Sequence, residues 1–318
     1  MAVTEKLTPA GRAGARLLPQ GASRSRRSVF AGFFDREDVL GYALLIPVIA
    51  ILGTFVVYPF LYGVWLAFTN TEIGRAGHFT GLDNLTRLLE DSIFRQAVSN
   101  SFIYTGVTTV FKLVFGLAMA VILNIPFRGN RTVRAATLLP WIIPTVLSTL
   151  AWKWMFDGSF SVFNYALATV GIAGPIWLGI WPWPMISIII LNVWRGMPFY
   201  GISFLAGMQT IPHDLYEAAT IDGASPWNRF FHITLPLLRS VIIVVLLLST
   251  ILTFADFQIV YALTGGGPAN LTQLFATYSF QVGLRGLEIG VGAAISLFMF
   301  PILAVIVFLT LRTLRSED

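Results

Sequence analysis

Six apolar runs dominate the chain, at about 39–68, 98–125, 135–157, 184–207, 238–262 and 289–311. Each reaches the ~20 residues that a helix needs to cross a bilayer. Pro47, Pro59, Gly116, Pro140, Pro144, Pro198 and Pro301 fall inside them. Membrane helices tolerate such residues because neighbouring groups re-satisfy the freed backbone. The third run is expected to break between Pro140 and Pro144, so its start is the loosest boundary. The pattern predicts an all-α integral membrane protein of six transmembrane helices, one domain over 39–313.

The segments between the runs differ in kind. Residues 70–96 contain Leu85, Leu88 and Leu89 at helical spacing, which predicts a short amphipathic helix over Leu85–Arg95. Residues 158–183 carry no charge but hold Trp177, Trp181 and Trp183. Tryptophans at such a level anchor the membrane interface; stacking on a sugar is the competing reading. After the fifth run comes Thr264-Gly265-Gly266-Gly267-Pro268, a turn whose glycines reach backbone shapes closed to other residues.

The loop 208–237 is polar although membrane runs flank it. Thr210 is its expected N-cap, with Pro212 in the first turn and Asp214 and Glu217 near the positive end of the helix dipole. Leu215, Ala218, Ala219 and Asp222 share one narrow face. Gly223 is the expected stop, Ser225 and Pro226 begin a second helix, and Leu235-Pro236 end it. A helix this short is marginal alone in water. It therefore either lies on the membrane as an amphipathic connector or packs into a groove on a partner.

Composition agrees with the pattern. Hydrophobic residues make up 56% and charged residues 12%, half the charge of an ordinary soluble domain, about 25%. The absence of cysteine excludes disulfides, a thiolate nucleophile and Cys-based metal sites. His78, His213 and His232 lack metal-ligand spacing. The net charge of +5 does not point to nucleic acid, because its distribution follows membrane topology. With the N-terminus inside, Lys6, Arg12, Arg16, Arg24, Arg26, Arg27, Arg36, Arg128, Arg131, Arg134, Arg229, Arg239, Arg312 and Arg315 face the cytoplasm. Only Arg75, Arg87, Arg95 and Arg285 face outward. This bias predicts an N-in, C-in arrangement with the 208–237 loop in the cytoplasm. Residues 1–38 are expected to be a disordered, basic cytoplasmic tail that sets topology, with contact to anionic lipid as the competing reading. A signal peptide is not expected, because the first apolar run starts only near Val39 and is too long for an h-region.

Ionisable and polar groups within the runs normally face a cavity or a partner. Lys112 and Arg195 lie near the middles of the second and fourth runs; Lys153 and Asp157 are spaced to pair. Asn192, Asp256 and Gln258 add polar groups. These residues either tie helices together or line a translocation path, where Trp194, Phe199, Phe254 and Phe257 would offer ring faces to a sugar. No Gly-x-x-x-x-Gly-Lys-Ser/Thr phosphate loop occurs, so any ATP must be hydrolysed on another chain. The sequence also lacks His-Glu-x-x-His and Gly-x-Ser-x-Gly, which argues against an intramembrane enzyme. A secondary transporter would need a mid-membrane acid or half-helix, and Asp256 sits off centre.

Glu217-Ala218-Ala219, Gly223, Ile233 and Leu235-Pro236 stand at the spacing of the EAA loop of bacterial ABC importer permeases, with Asp222 and Ala224 completing its Asp-Gly-Ala form. Phe79-Thr80-Gly81-Leu82-Asp83-Asn84, Leu139-Pro140-Trp141 with Trp152-Lys153-Trp154, and the Gly265-Gly266-Gly267-Pro268 turn also resemble that family. Over most of 39–311 the chain resembles a binding-protein-dependent sugar permease. The resemblance implies the type I ABC importer transmembrane fold and a place in the bacterial inner membrane. It implies a carbohydrate substrate, or a glycerol phosphoester or polyol, moved by alternating access. The implied partners are a second homologous permease, two ATPase subunits that use ATP and Mg, and a periplasmic or lipid-anchored sugar-binding protein. No cofactor is implied on this chain. Glu217, Ala218, Ala219, Asp222, Gly223 and Ala224 would dock the ATPase, and Asn192, Arg195, Phe254, Asp256, Phe257 and Gln258 are the candidate substrate path.

Overall fold

The structure, a computed structural model, describes residues 37–315. The expected tail therefore lies outside the described residues, except that Glu37 and Asp38 already belong to the first helix. The chain divides into two compact units at Pro59. The first holds helix α1 (Glu37–Leu52) and a π-helical turn, Gly53–Val57. Its side chains from Tyr42 to Tyr58 are almost all apolar and exposed, which suits a surface turned to lipid. Helix α2 (Tyr58–Ala67) completes a 27-residue apolar helix from Gly41 to Ala67.

The second unit contains α3 (Asp83–Glu90), α4 (Ser92–Asn124), α5 (Asn130–Thr137), α6 (Leu139–Ile142), α7 (Thr145–Met155), α8 (Val162–Thr169) and α9 (Trp183–Met208). After these come α10 (His213–Ile221), α11 (Pro226–Arg229), α12 (Leu235–Leu237), α13 (Arg239–Phe254), α14 (Gln258–Leu263), α15 (Phe275–Phe280) and α16 (Ile289–Arg315). Among the described residues no strand forms beyond two isolated bridges. Among the described residues four helices are long and apolar enough to span a membrane, and six spans result if two bent pairs each count as one.

Both bends have local causes. α5–α6 meets α7 at 89° across Ile143-Pro144, where proline removes a donor and forces its predecessor into extended backbone. The break falls where the sequence placed it. The second bend, 65°, was not foreseen. Leu235-Pro236 does not end the second loop helix. The chain runs on from α11 through a π-helical turn (Phe230–Thr234) into α12 and kinks only at Leu238. Pro236 has no donor, and the wider π-helical turn before it, closed by Leu235 N bonding Phe230 O, carries the helix past that gap.

Three other boundaries differ from expectation. Asp91 splits the expected Leu85–Arg95 helix. Its carboxylate accepts from Ile93 N at 2.8 Å and starts α4, so Arg95 belongs to the 33-residue second span. The fifth span stops at Phe254, and a non-helical turn over residues 255–257 precedes the separate α14. Thr210 does not cap α10. Its hydroxyl donates to Gly207 O at 2.8 Å, and Pro212 occupies the cap position.

α4 and α9 are the central pair. They approach closely because Gly116 lies against Tyr200, leaving no room for a Cβ. Three apolar clusters surround them. One gathers Phe94, Phe254, Phe275 and Ile295; a second gathers Tyr104, Phe156, Trp177 and Leu191; a third gathers Leu123, Tyr200, Phe204 and Leu238. Trp177 is thus a core residue rather than an interfacial anchor. It is buried, and its Nε1 donates to Asn164 Oδ1 at 2.7 Å. Trp181 remains about half exposed. Lys153 and Asp157 do not pair among the described residues. Asp157 Oδ1 instead accepts from Ser159 N and Phe160 N, closing the turn after α7.

Candidate functional site

A cavity of about 460 Å³ opens between α4, α6–α7, α9 and the α13–α14 break. The break matters because ending α13 at Phe254 leaves residues 255–257 free to turn Asp256 inward. There the carboxylate joins three elements. Tyr104 Oη on α4 donates to Asp256 Oδ2 at 2.6 Å, and Asn192 Nδ2 on α9 donates to the same oxygen at 2.9 Å. Asn192 Nδ2 also lies 2.6 Å from Tyr104 Oη. Asp256 Oδ1 accepts from Ile259 N at 3.3 Å, fastening the start of α14.

Two cations share this cavity. Lys112 is buried and donates to Thr253 Oγ1 at 2.8 Å. Arg195 lies over the Trp141 ring, 5.5 Å from its centroid, and Trp141 stacks on Phe199 at 5.0 Å. Among the described residues no carboxylate lies within 4.0 Å of Arg195. Arg195 Nε and Asn192 Oδ1 are buried without a hydrogen-bond partner. An orphaned donor and an orphaned acceptor in one cavity mark places for water or a ligand, since such groups are costly to leave unpaired.

The structure brings Asn192, Arg195, Asp256, Phe257 and Gln258 together around the cavity. Phe254 is not among them. It is buried against Phe102 and Phe275, at 5.6 and 5.5 Å between ring centroids, because α13 turns that face into the core. Trp194 likewise packs on Trp152. Sequence reasoning missed Tyr104, Trp141, Ser249 and Thr253. Tyr104 and Thr253 sit in apolar runs with no pattern to set them apart. Trp141 was noted only in the Leu139-Pro140-Trp141 stretch that carries the family resemblance, not for a place beside Arg195.

The loop 208–237 forms the expected pair of short helices. α10 ends at Ile221, and Gly223 turns the chain with φ +75°, a left-handed shape that favours glycine. Ala224 N then bonds back to Ala219 O at 2.8 Å. Ser225 Oγ caps α11 by accepting from Asn228 N at 3.3 Å, with Pro226 at the first position. Glu217, Ala218 and Asp222 are exposed, and Ala219 and Ala224 are half-buried. Glu217 Oε1 meets His213 Nδ1 at 3.1 Å on the surface. Ile221 and Trp227 project as well, at 87% and 72% exposure. Beyond α14, Gly265 and Gly266 have φ +63° and +88° and Gly267 precedes Pro268. The turn is closed by Thr272 Oγ1 donating to Gly267 O at 2.6 Å.

Residues 112–314 match the family described as binding-protein-dependent transport system inner membrane component. The chain belongs to that family. It is a multi-pass permease subunit of the inner membrane and not an enzyme; in such systems the ATPase is a separate subunit. Membership sets aside the secondary transporter. The trehalose/maltose transport system permease protein MalF of Thermococcus litoralis is 36% identical over 89% of this chain and 96% of its own length. The sulfoquinovosyl glycerol transport system permease protein SmoG of Agrobacterium fabrum is 35% identical over 89% and 92%. Among solved structures, a chain of a bacterial ABC transporter that imports the acidic polysaccharide alginate superposes with TM-score 0.77 at 25% identity. That match covers 88% of this permease and 96% of that chain.

Proposed function

We propose that this permease carries a carbohydrate through the cavity between α4, α9 and the α13–α14 break, as one half of an ATP-driven importer. The observation that carries the reading is the orphaned pair Asn192 Oδ1 and Arg195 Nε beside the Trp141 and Phe199 rings. Sugars present hydroxyls that both donate and accept, and ring faces that rest on aromatics. The relatives named for trehalose/maltose and for sulfoquinovosyl glycerol support that substrate class. The alginate transporter has also been solved with a pentasaccharide-bound periplasmic protein, which supports a binding protein as partner here. The remaining partners are a second homologous permease, facing this one across the cavity, and two ATPase subunits that use ATP and Mg.

In this reading the N-terminus, C-terminus and 208–237 loop face the cytoplasm. Glu217, Ala218, Ala219, Asp222, Gly223 and Ala224 present α10 to an ATPase. ATP binding pulls that helix, the fifth span follows, and the cavity opens outward to receive sugar from the binding protein. The Gly265–Pro268 turn lies at the outer mouth. Uptake of trehalose, maltose and an alginate oligosaccharide by proteoliposomes holding the purified complex and its binding protein tests the reading. ATP-dependent uptake of at least one supports it. A complex that binds and moves only non-carbohydrate solutes refutes it. A glycerol phosphoester is the second reading, favoured by Arg195, whose guanidinium has no carboxylate partner among the described residues. The same assay run with glycerol 3-phosphate separates the two.

A further inference from the structure

We propose that Tyr216 and Thr234 form the strut through which motion of α10 reaches the fifth span. The inference rests on the docking reading above and names how the loop transmits force. α10 has no buried residue and contributes none to the three apolar clusters. A cleft of about 300 Å³, lined by His213, Tyr216, Glu217 and Arg229 among others, separates it from the segment beyond Gly223. Packing therefore does not hold the angle of this elbow, and the glycine at its corner is the most pliable residue type available.

Among the described residues two side-chain hydrogen bonds cross the cleft. Arg229 Nη1 donates to Thr220 Oγ1 at 2.8 Å, but that pair is exposed, and water competes for both groups. Tyr216 Oη and Thr234 Oγ1 meet at 2.9 Å, and Thr234 is only 6% exposed. A hydrogen bond shielded from water keeps its strength, and its loss leaves the Thr234 hydroxyl only a long 3.5 Å contact to Arg229 O. Thr234 is also well connected. It closes the π-helical turn whose Phe230 packs against the third cluster, and Leu238 N bonds Thr234 O at 3.0 Å at the foot of α13. A pull on α10 thus enters the fifth span at Thr234, and α13 leads from there to the Asp256 network. Tyr216 is a positioning residue, since it touches neither ATPase nor cargo in this account.

The chain's lack of cysteine supplies the test. Ala255→Cys places a single thiol on the cavity wall, where position 255 is exposed. In the assembled complex, a membrane-impermeant maleimide reports how far AMP-PNP with Mg²⁺ changes access to that thiol. Tyr216→Phe and Thr234→Val are each expected to weaken the nucleotide-induced change about fivefold, as loss of one buried hydrogen bond implies. The double variant is expected to be no worse than Thr234→Val, because the Tyr216–Thr234 bond is lost in all three and Thr234→Val also removes the long 3.5 Å bond to Arg229 O. Arg229→Gln is expected to have little effect. A full-sized response in Tyr216→Phe, or losses that multiply in the double variant, overturns the strut. So does loss of the ATPase from Tyr216→Phe during purification, because the residue would then serve docking itself. Glu217→Lys separates the two levels: if it retains the ATPase with an unchanged response, the docking reading falls first, and the strut with it.

Discussion

Replacing Asp256 with alanine tests whether the cavity is held by its carboxylate. The substitution strips Tyr104 Oη of an acceptor at 2.6 Å, and Ile259 N of one at 3.3 Å. Tyr104 is fully buried, so its hydroxyl has no water to turn to. Asn192 Nδ2 keeps Tyr104 Oη at 2.6 Å. Hydrogen bonds between membrane helices average only about 0.6 kcal/mol, because the unfolded chain in lipid finds substitutes. A bond to a charged acceptor contributes about 1.5–3 kcal/mol, and an orphaned buried donor costs about 1–3 kcal/mol. The charged, three-way geometry places Asp256 above the average, so Asp256→Ala is expected to destabilise by about 2 kcal/mol. Asp256→Asn retains an acceptor for Tyr104 and is expected to lose about half as much. Reversible unfolding in mixed detergent micelles, run as a cycle with Tyr104→Phe, measures the coupling directly. In the Tyr104→Phe background the Asp256→Ala loss should shrink by about 1 kcal/mol or more. Strict additivity of the two substitutions would refute the network.

Other outcomes follow from the same geometry. Gly223→Ala forces a side chain into φ +75° and should destabilise the elbow by about 1–2 kcal/mol, while Gly223→Pro should insert normally yet stop uptake in the reconstituted complex. Gly116→Leu drives a side chain into Tyr200 where α4 and α9 touch; the variant should express but melt several degrees below wild type. Arg87 and Glu288 form a two-pronged pair, 2.6 Å at its shorter contact, with Arg87 63% exposed. Solvent screening limits Arg87→Ala to a loss of under about 1 kcal/mol, and less at high salt. Burial, and then its hydrogen bond to Asp91, raise the Tyr278 phenol well above the ordinary tyrosine value. Because the unfolded phenol ionises first, stability should fall as pH rises above about 10, and Tyr278→Phe should remove that slope in a pH-dependent melt.

Length and apolarity alone located the apolar runs, four of which form single long helices and two bent pairs among the described residues, since a spanning helix is a long, strong signal. The proline break at Pro144 and the glycine bend at Gly223 were equally legible, because each follows from one residue's own backbone limits. Boundaries set by a side chain reaching backward were harder. Asp91 ends one helix and starts the next through a single bond to Ile93 N, yet it sat inside the expected Leu85–Arg95 helix with nothing to mark it as a cap. The cavity was half legible. Charged and amide groups inside apolar runs announced themselves at Asn192, Arg195 and Asp256. Phe254 and Phe257 are only three positions apart, yet one faces the core and the other the cavity. Their fates depend on where α13 stops, and apolar periodicity does not record that. Tyr104 and Trp141 were invisible for a related reason: their importance comes from partners on distant segments.

On the path proposed above, the unpaired oxygen of Asn192 and nitrogen of Arg195 bear on how cargo leaves. Between turnovers, water satisfies polar positions of this kind. An arriving solute then exchanges one set of contacts for another of similar strength, and its net hold on the wall stays weak. Loose retention suits a conduit, where entry must be favourable without making departure slow. Filling that gap with a carboxylate, for instance by Gln258→Glu, would tighten the wall against Arg195 and trade throughput for order.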